Sequence, residues 1–248
     1  MNSLKLKDYK KGVKDGLPIG IGYLSVSFAF GIFAVENGLN ILQAVAMSLT
    51  NLTSAGQLAA VPIFSGGTLI ELIVSQLVIN SRYSLMSVSL GQKLSSKVKL
   101  PQKLLIAYGN TDEIFAVSVS QQGDVSAHYM YGLILLPVIG WTGGTLIGAV
   151  AGNILPAIVT ASLGVAIYGM FVAIVVPVTK KEKATAFCVL TSIALSCIFY
   201  YEPFLKEHIP SGFVVIICAV VSSAIFAIIS PINTDSEINE NEEAAVNG

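Results

Sequence analysis

Four ionisable side chains, Glu71, Arg82, Asp112 and Glu113, lie inside stretches that are otherwise apolar. A charge at the centre of a bilayer costs at least about 2.5–3.5 kcal/mol on insertion scales, so such groups must face a cavity, a polar partner or the membrane surface. Glu71 follows the Ser65-Gly66-Gly67 turn by one helical turn, which suits a place near the surface. Arg82 falls in the inner half of the stretch from Leu69 to Leu90. It can either snorkel toward the near surface or pair with Asp112 or Glu113. The same stretch carries Gln76, Asn80 and Ser84 at i, i+4 spacing, which makes one polar stripe along a helix. Such a stripe either bonds helices together or lines a polar path. The chemistry open to this set is the binding of small charged groups or the carriage of a proton.

The elements that position these groups must be membrane helices. Of 248 residues, 54% are hydrophobic and only 12% charged, with a mean hydropathy of +0.74. A soluble domain carries about a quarter charged residues. Apolar segments recur near 17–35, 41–64, 68–90, 104–121, 129–152, 155–178, 184–201 and 211–230, and several are long enough to cross a bilayer. The expected organisation is a basic cytoplasmic head (1–15), one membrane domain (16–230) and a disordered acidic tail (231–248). Met1 to Asp15 lacks an Ala-x-Ala type cleavage site and reads as a retained segment.

Cofactor chemistry finds no foothold. Cys188, Cys197 and Cys218 sit singly in apolar stretches and read as small packing residues. His128 and His208 fall in loops without metal-binding neighbours. No GxxxxGK[ST], HExxH or GxSxG stretch occurs, and Gly20-Ile21-Gly22 lacks the third glycine and the strand of a dinucleotide site. No metal, cofactor, catalytic residue or nucleic-acid partner is expected, and the net charge of −1 by itself says nothing about a nucleic-acid partner.

Lysine placement sets the topology. Twelve of the fourteen basic residues fall in three clusters: Lys5, Lys7, Lys10, Lys11 and Lys14; Lys93, Lys97, Lys99 and Lys103; Lys180, Lys181 and Lys183. All three should face the cytoplasm. Three full crossings before the second cluster would put it outside, so one early segment must turn back. Segment 41–64 is the candidate, because its middle reads Thr50-Asn51-Leu52-Thr53-Ser54-Ala55-Gly56-Gln57. Broken backbone survives at membrane depth only where protein or a wet cavity satisfies it. Segment 104–121 must also start and end inside, and its middle, Tyr108-Gly109-Asn110-Thr111-Asp112-Glu113, is polar too. The sequence therefore predicts an all-α polytopic membrane protein with six full spans and two broken or re-entrant segments, both termini cytoplasmic. Paired breaks of this kind point to a midplane binding site, often within inverted repeats, although no residue-level repeat is visible. Gly140, Gly144, Gly148 and Gly152 recur every fourth residue, as do Gly16 and Gly20, which reads as close helix packing.

Four stretches resemble the AzlC-type (azaleucine-resistance) permease family: GLPIGIGYLSVSFAFGIFA (16–34), NLTSAGQLAA (51–60), INSRYSLMSVSL (79–90) and NTDEIFAV (110–117). The resemblance spans roughly residues 10–230. It implies a permease subunit in a prokaryotic cytoplasmic membrane, working with a small AzlD-type membrane subunit to export branched-chain amino acids. Where the family usually has a histidine after the arginine of its asparagine-x-arginine motif, this chain has Tyr83, which argues against proton coupling there.

A zwitterionic cargo needs a carboxylate partner, an ammonium partner and an apolar wall. Arg82 or backbone N–H groups around Asn51, Thr53, Ser54 and Gln57 could hold the carboxylate, as helix N-termini hold anions. Asp112 or Glu113 could hold the ammonium or a coupling proton. Asn80 lies beside Arg82, and Tyr23, Phe28 and Leu58 are candidates for the wall. Two other readings stay open: a scaffold whose polar groups bind only a partner subunit, and an intramembrane enzyme built on Asp112 and Glu113.

Overall fold

The protein, described by a computed structural model, is seen over residues 3–156, 158–159, 168–169, 172, 175–180 and 182–230. Most of the expected span at 155–178 and the tail at 231–248 lie outside the described residues. The chain forms two compact units, Met1–Val172 and Ala173–Gly248.

The first unit is built on two long helices, α1 (Ser3–Glu36) and α7 (Ala127–Ile154). At 1.5 Å per residue α1 is about 51 Å long, well beyond the roughly 30 Å of bilayer hydrocarbon. Its surplus is the lysine-rich start, so the basic head is the first turns of the same helix. Glycines let the two backbones touch. A Cβ on Gly12 would meet Tyr129 and Leu133, one on Gly20 would lie 2.8 Å from the Leu136 carbonyl oxygen, and one on Gly152 would meet Val35 and Ile32. The partners ascend together along both helices, so α1 and α7 run parallel.

Parallel neighbours require an odd number of crossings between them. One helix supplies it: α4 (Leu69–Lys93), 25 residues long. The intervening segments turn back. Helices α2 (Ile41–Thr50) and α3 (Ser54–Gly66) form an antiparallel hairpin, with Ser48 bonded to Gln57 and with Ala44 and Val61 in one core beside Phe30 and Ala34. A capping box between Asn40 and Gln43 starts α2 near the C-terminal end of α1. Helices α5 (Leu100–Tyr108) and α6 (Asp112–Val119) form the second hairpin, burying Ile106 and Ile114 against Met130 and Leu133. Its base is closed by backbone bonds from Ser95 to Val125 and from Val125 to Lys93.

The hairpins enter from opposite ends. Lys11 donates to Gln121 at 2.6 Å, and Asp8 accepts from Ser126 at 2.7 Å, so the first two lysine clusters share one end of this unit. Glu71 is buried and belongs to a capping box with Thr68 at the start of α4, where the helix dipole favours a carboxylate.

The second unit contains α8 (Lys183–Tyr201) and α10 (Ser211–Ile229), packed on each other and linked through the short α9 (Pro203–His208). Four described helices are long and apolar enough to cross a membrane: α1, α7, α8 and Gly212–Ile229 of α10. Polar α4 has the length without the hydropathy. No strand is present among the described residues, only an isolated bridge between Leu94 and Val125. The chain is an all-α polytopic membrane protein.

Candidate functional site

The tips of the two hairpins meet. Residues Thr50–Thr53 of one and Ala107, Tyr108, Asn110 and Thr111 of the other line a single cavity of about 230 Å³, with Tyr83 of α4 as a further wall. The Tyr108 hydroxyl donates to the Leu49 carbonyl, joining tip to tip. This carbonyl belongs to the last turn of α2, whose oxygens lack partners within the helix. The α5–α6 break also presses on α7: a Cβ on Gly109 would lie 2.9 Å from Ile134 Cδ1.

Each break has an asparagine and a threonine that serves as N-cap of the second half-helix, separated by Leu52 in the first break and adjacent in the second. The caps are finished differently. Thr111 Oγ1 accepts from the Ile114 N–H at 3.5 Å, and Asp112 and Glu113 occupy the first turn of α6, so that N-terminus already has its negative charge. Thr53 makes no side-chain cap bond to α3, whose first turn has no acidic residue. The donors at the start of α3 therefore remain available to an anion. Asn51 shapes this turn by accepting from the Thr53 N–H at 3.2 Å and donating to Gln76 Oε1 at 3.3 Å.

Across the cavity stands Asn110, only 3% exposed. Its Nδ2 is at the limit of hydrogen-bond distance from Ser87 Oγ, 3.5 Å, and its Oδ1 is buried without a partner. An unmet buried acceptor costs about 1–3 kcal/mol until something donates to it. The cavity is thus bordered by the residues that lead into an open helix N-terminus and by Asn110, whose buried acceptor is unfilled. It is complementary to a small solute bearing both an anionic group and an N–H donor.

The charged residues stand around this cavity and satisfy one another. Arg82 pairs with Asp112 at 2.9 Å, both about half exposed, and lies over the Tyr83 ring at 5.0 Å. Glu113 accepts from the Tyr23 hydroxyl. Tyr23 has one proton, so its contact with Thr111 at 2.7 Å is one in which Thr111 donates. Of the residues singled out in the sequence, Asn51 and Thr53 line the cavity and Ser54 opens α3 beside it. Tyr23, Arg82, Asp112 and Glu113 form the surrounding layer. Asn80 donates to Gln76 at 3.2 Å and leaves its own Oδ1 buried and unpartnered. Leu58 packs into the core beside Phe30, and Phe28 places its carbonyl against Gly148.

The profile of the AzlC protein family matches residues 18–155, more than half of the chain. This chain belongs to the AzlC family. The matched span runs from the apolar start of α1 to the end of α7 and so includes both hairpins. Among relatives, the chain is 32% identical to an uncharacterized membrane protein of Archaeoglobus fulgidus over 75% of this chain and 83% of the relative. It is 28% identical to the Escherichia coli inner membrane protein YgaZ over 71% and 75%. It is 24% identical to the Bacillus subtilis branched-chain amino acid transport protein AzlC over 73% and 71%. No solved structure matches.

Gln57 of this AzlC-family chain faces away from the cavity. It is fully buried, donating to Ser48 at 2.9 Å and accepting from the Trp141 indole at 2.9 Å, while Ser48 meets Thr145 at 2.7 Å. Trp141 in turn touches the Tyr23 ring edge-on, 5.2 Å between centroids. This network joins the α2–α3 hairpin to α7. Gln57→Leu strands the indole N–H and should lower stability by about 1–3 kcal/mol, read as a lower melting temperature in detergent, with the cavity lining unchanged.

Tyr108, Asn110 and Thr111 join the lining although sequence reasoning did not single them out as contacts. Their signal was the asparagine followed by a capping threonine at both breaks. Only the second asparagine, however, keeps its oxygen free.

Proposed function

We propose that this chain is a secondary transporter subunit, not an enzyme, that exports branched-chain aliphatic amino acids across the cytoplasmic membrane of a prokaryote. The observation that carries this reading is the cavity between the opposed tips, bordered by the residues that lead into the uncapped α3 N-terminus and by Asn110, whose Oδ1 is buried and unpartnered. The cargo carboxylate would sit at the N–H groups of Ser54 and its neighbours, helped by Asn51 and Thr53. Its ammonium would donate to Asn110 Oδ1. Leu52, Ala107 and the rings of Tyr83 and Tyr108 would border its aliphatic side chain. The Arg82–Asp112 pair ties α4 to the first residue of α6 and so holds the α5–α6 tip in place. Glu113, held by Tyr23, would carry a coupling proton. The lysine-rich end, with both termini, would face the cytoplasm, and a small AzlD-type membrane subunit would complete the exporter. The AzlC name and function of the Bacillus subtilis relative support the cargo class.

The test is efflux of preloaded, labelled leucine, isoleucine and valine from cells expressing this chain with and without the small subunit. Faster efflux is expected, and absence of any change despite confirmed membrane expression would overturn the reading. Arg82→Ala should slow efflux by about tenfold or more, because Asp112 loses its partner. The paired variant Arg82→Gln with Asp112→Asn should recover part of that loss. Arg82→Ala efflux equal to the parent would remove the ion pair from the mechanism.

A further inference from the structure

A second cavity adjoins the first. It has a volume of about 570 Å³ and lies between α2, α3, the start of α4 and the turn after α1. Thr50 and Asn51 line both cavities, which places the two on either side of the α2–α3 break. Its polar lining includes Asn51, which donates to Gln76 Oε1, and Gln76, whose Nε2 donates to the Gly56 carbonyl at 2.8 Å, while Asn80 outside the lining also donates to Gln76 Oε1. Its sides are apolar, with Leu39, Met47, Phe64 and Leu72. It lies at the C-terminal end of α1, away from the lysine-rich end.

We propose that this cavity is a second binding site for the same class of solute, a zwitterionic amino acid with an aliphatic side chain, occupied on the way out of the tip cavity. The inference rests on the transport reading above. The volume falls within the roughly 300–1,000 Å³ usual for small-molecule sites. A mostly apolar wall with a few converging amides suits a solute with one polar end and one aliphatic end. The shared Thr50 and Asn51 give the polar end of the solute partners at both sites. The side chain then moves from the short apolar border of Leu52 and Ala107 to the wider one of Met47, Phe64 and Leu72. The outer cavity is therefore where aliphatic side chains of different length are told apart.

Equilibrium binding of labelled leucine to the purified full chain in detergent tests this. The parent should bind about two molecules per chain. Ala46→Trp, a change at an exposed lining position of α2, should remove one and leave the other. Phe64→Ser, also exposed, should weaken the same site without filling it. Asn110→Leu should remove the complementary one. A stoichiometry near one that neither Ala46→Trp nor Phe64→Ser alters would overturn the second site and leave the transport reading standing. No leucine binding by the parent chain would overturn both. A change in the leucine-to-valine efflux ratio in Phe64→Ser, with the Asn110 site intact, would further support selection in the outer cavity.

Discussion

Leucine efflux in Asn110→Leu should fall by about a hundredfold while the chain still reaches the membrane. The expected size comes from the acceptor itself. A hydrogen bond to a charged group contributes about 1.5–3 kcal/mol, and each 1.4 kcal/mol is a factor of ten. Leucine has nearly the shape of asparagine and offers the cargo ammonium nothing to bond. In the empty protein the substitution costs little, because Asn110 Oδ1 has no partner to lose and its only described side-chain bond, to Ser87, is long. A large loss of transport with unchanged stability is thus the signature of a cargo contact. The opposite result, lost stability with normal transport kinetics in the surviving protein, would make Asn110 a structural residue. Labelled-amino-acid efflux and detergent melting on the same preparations distinguish the two.

Gly148→Leu should abolish folding. A Cβ at Gly148 falls on the Phe28 carbonyl oxygen, and backbone oxygen cannot rotate out of the way as a side chain can. Helices α1 and α7 would have to separate along their length, since Gly140 meets Gly20 and Gly144 meets Leu24 in the same way. Overpacking in a tight core costs about 1–3 kcal/mol even when side chains can yield, so a backbone collision should exceed that. In a membrane the loss is not offset by solvent, because close packing itself drives the association of helices. Gly143→Leu is the control, as nothing lies within 4 Å of a Cβ there. Size-exclusion profiles in mild detergent should show aggregated or absent protein for Gly148→Leu and a parent-like peak for Gly143→Leu. Equal profiles would mean that α1 and α7 do not touch at this point.

Much of the architecture was legible locally. Apolar composition and lysine placement require a multi-span helical protein, because lipid offers no partner to an open backbone and lysines stay on one side. Polar residues at 51–57 and 108–113 within apolar segments announce the two breaks. Counting crossings between lysine clusters then forces both segments to return to the side they came from, and parallel α1 and α7 with α4 as the crossing between them satisfy the same count. The small-residue spacing on α7 likewise marks a packing face before its partner is known.

What the sequence could not reveal is which polar groups meet. Charge draws attention to Arg82, Asp112 and Glu113, yet each already has a partner: Arg82 and Asp112 form an ion pair, and Glu113 accepts from Tyr23, 90 positions away. Gln57 looks equivalent to Asn51 in a polar stretch, but in α3 it is buried and bonded into the Trp141 network. Asn110, uncharged and unremarkable in a string of letters, is left with an empty acceptor where two breaks from opposite ends converge. Local pattern determines that a segment is apolar, broken or basic, because those properties depend on neighbours within a few turns. Which donor lacks an acceptor depends on every group within reach in space, and only the tertiary structure of this chain decides that.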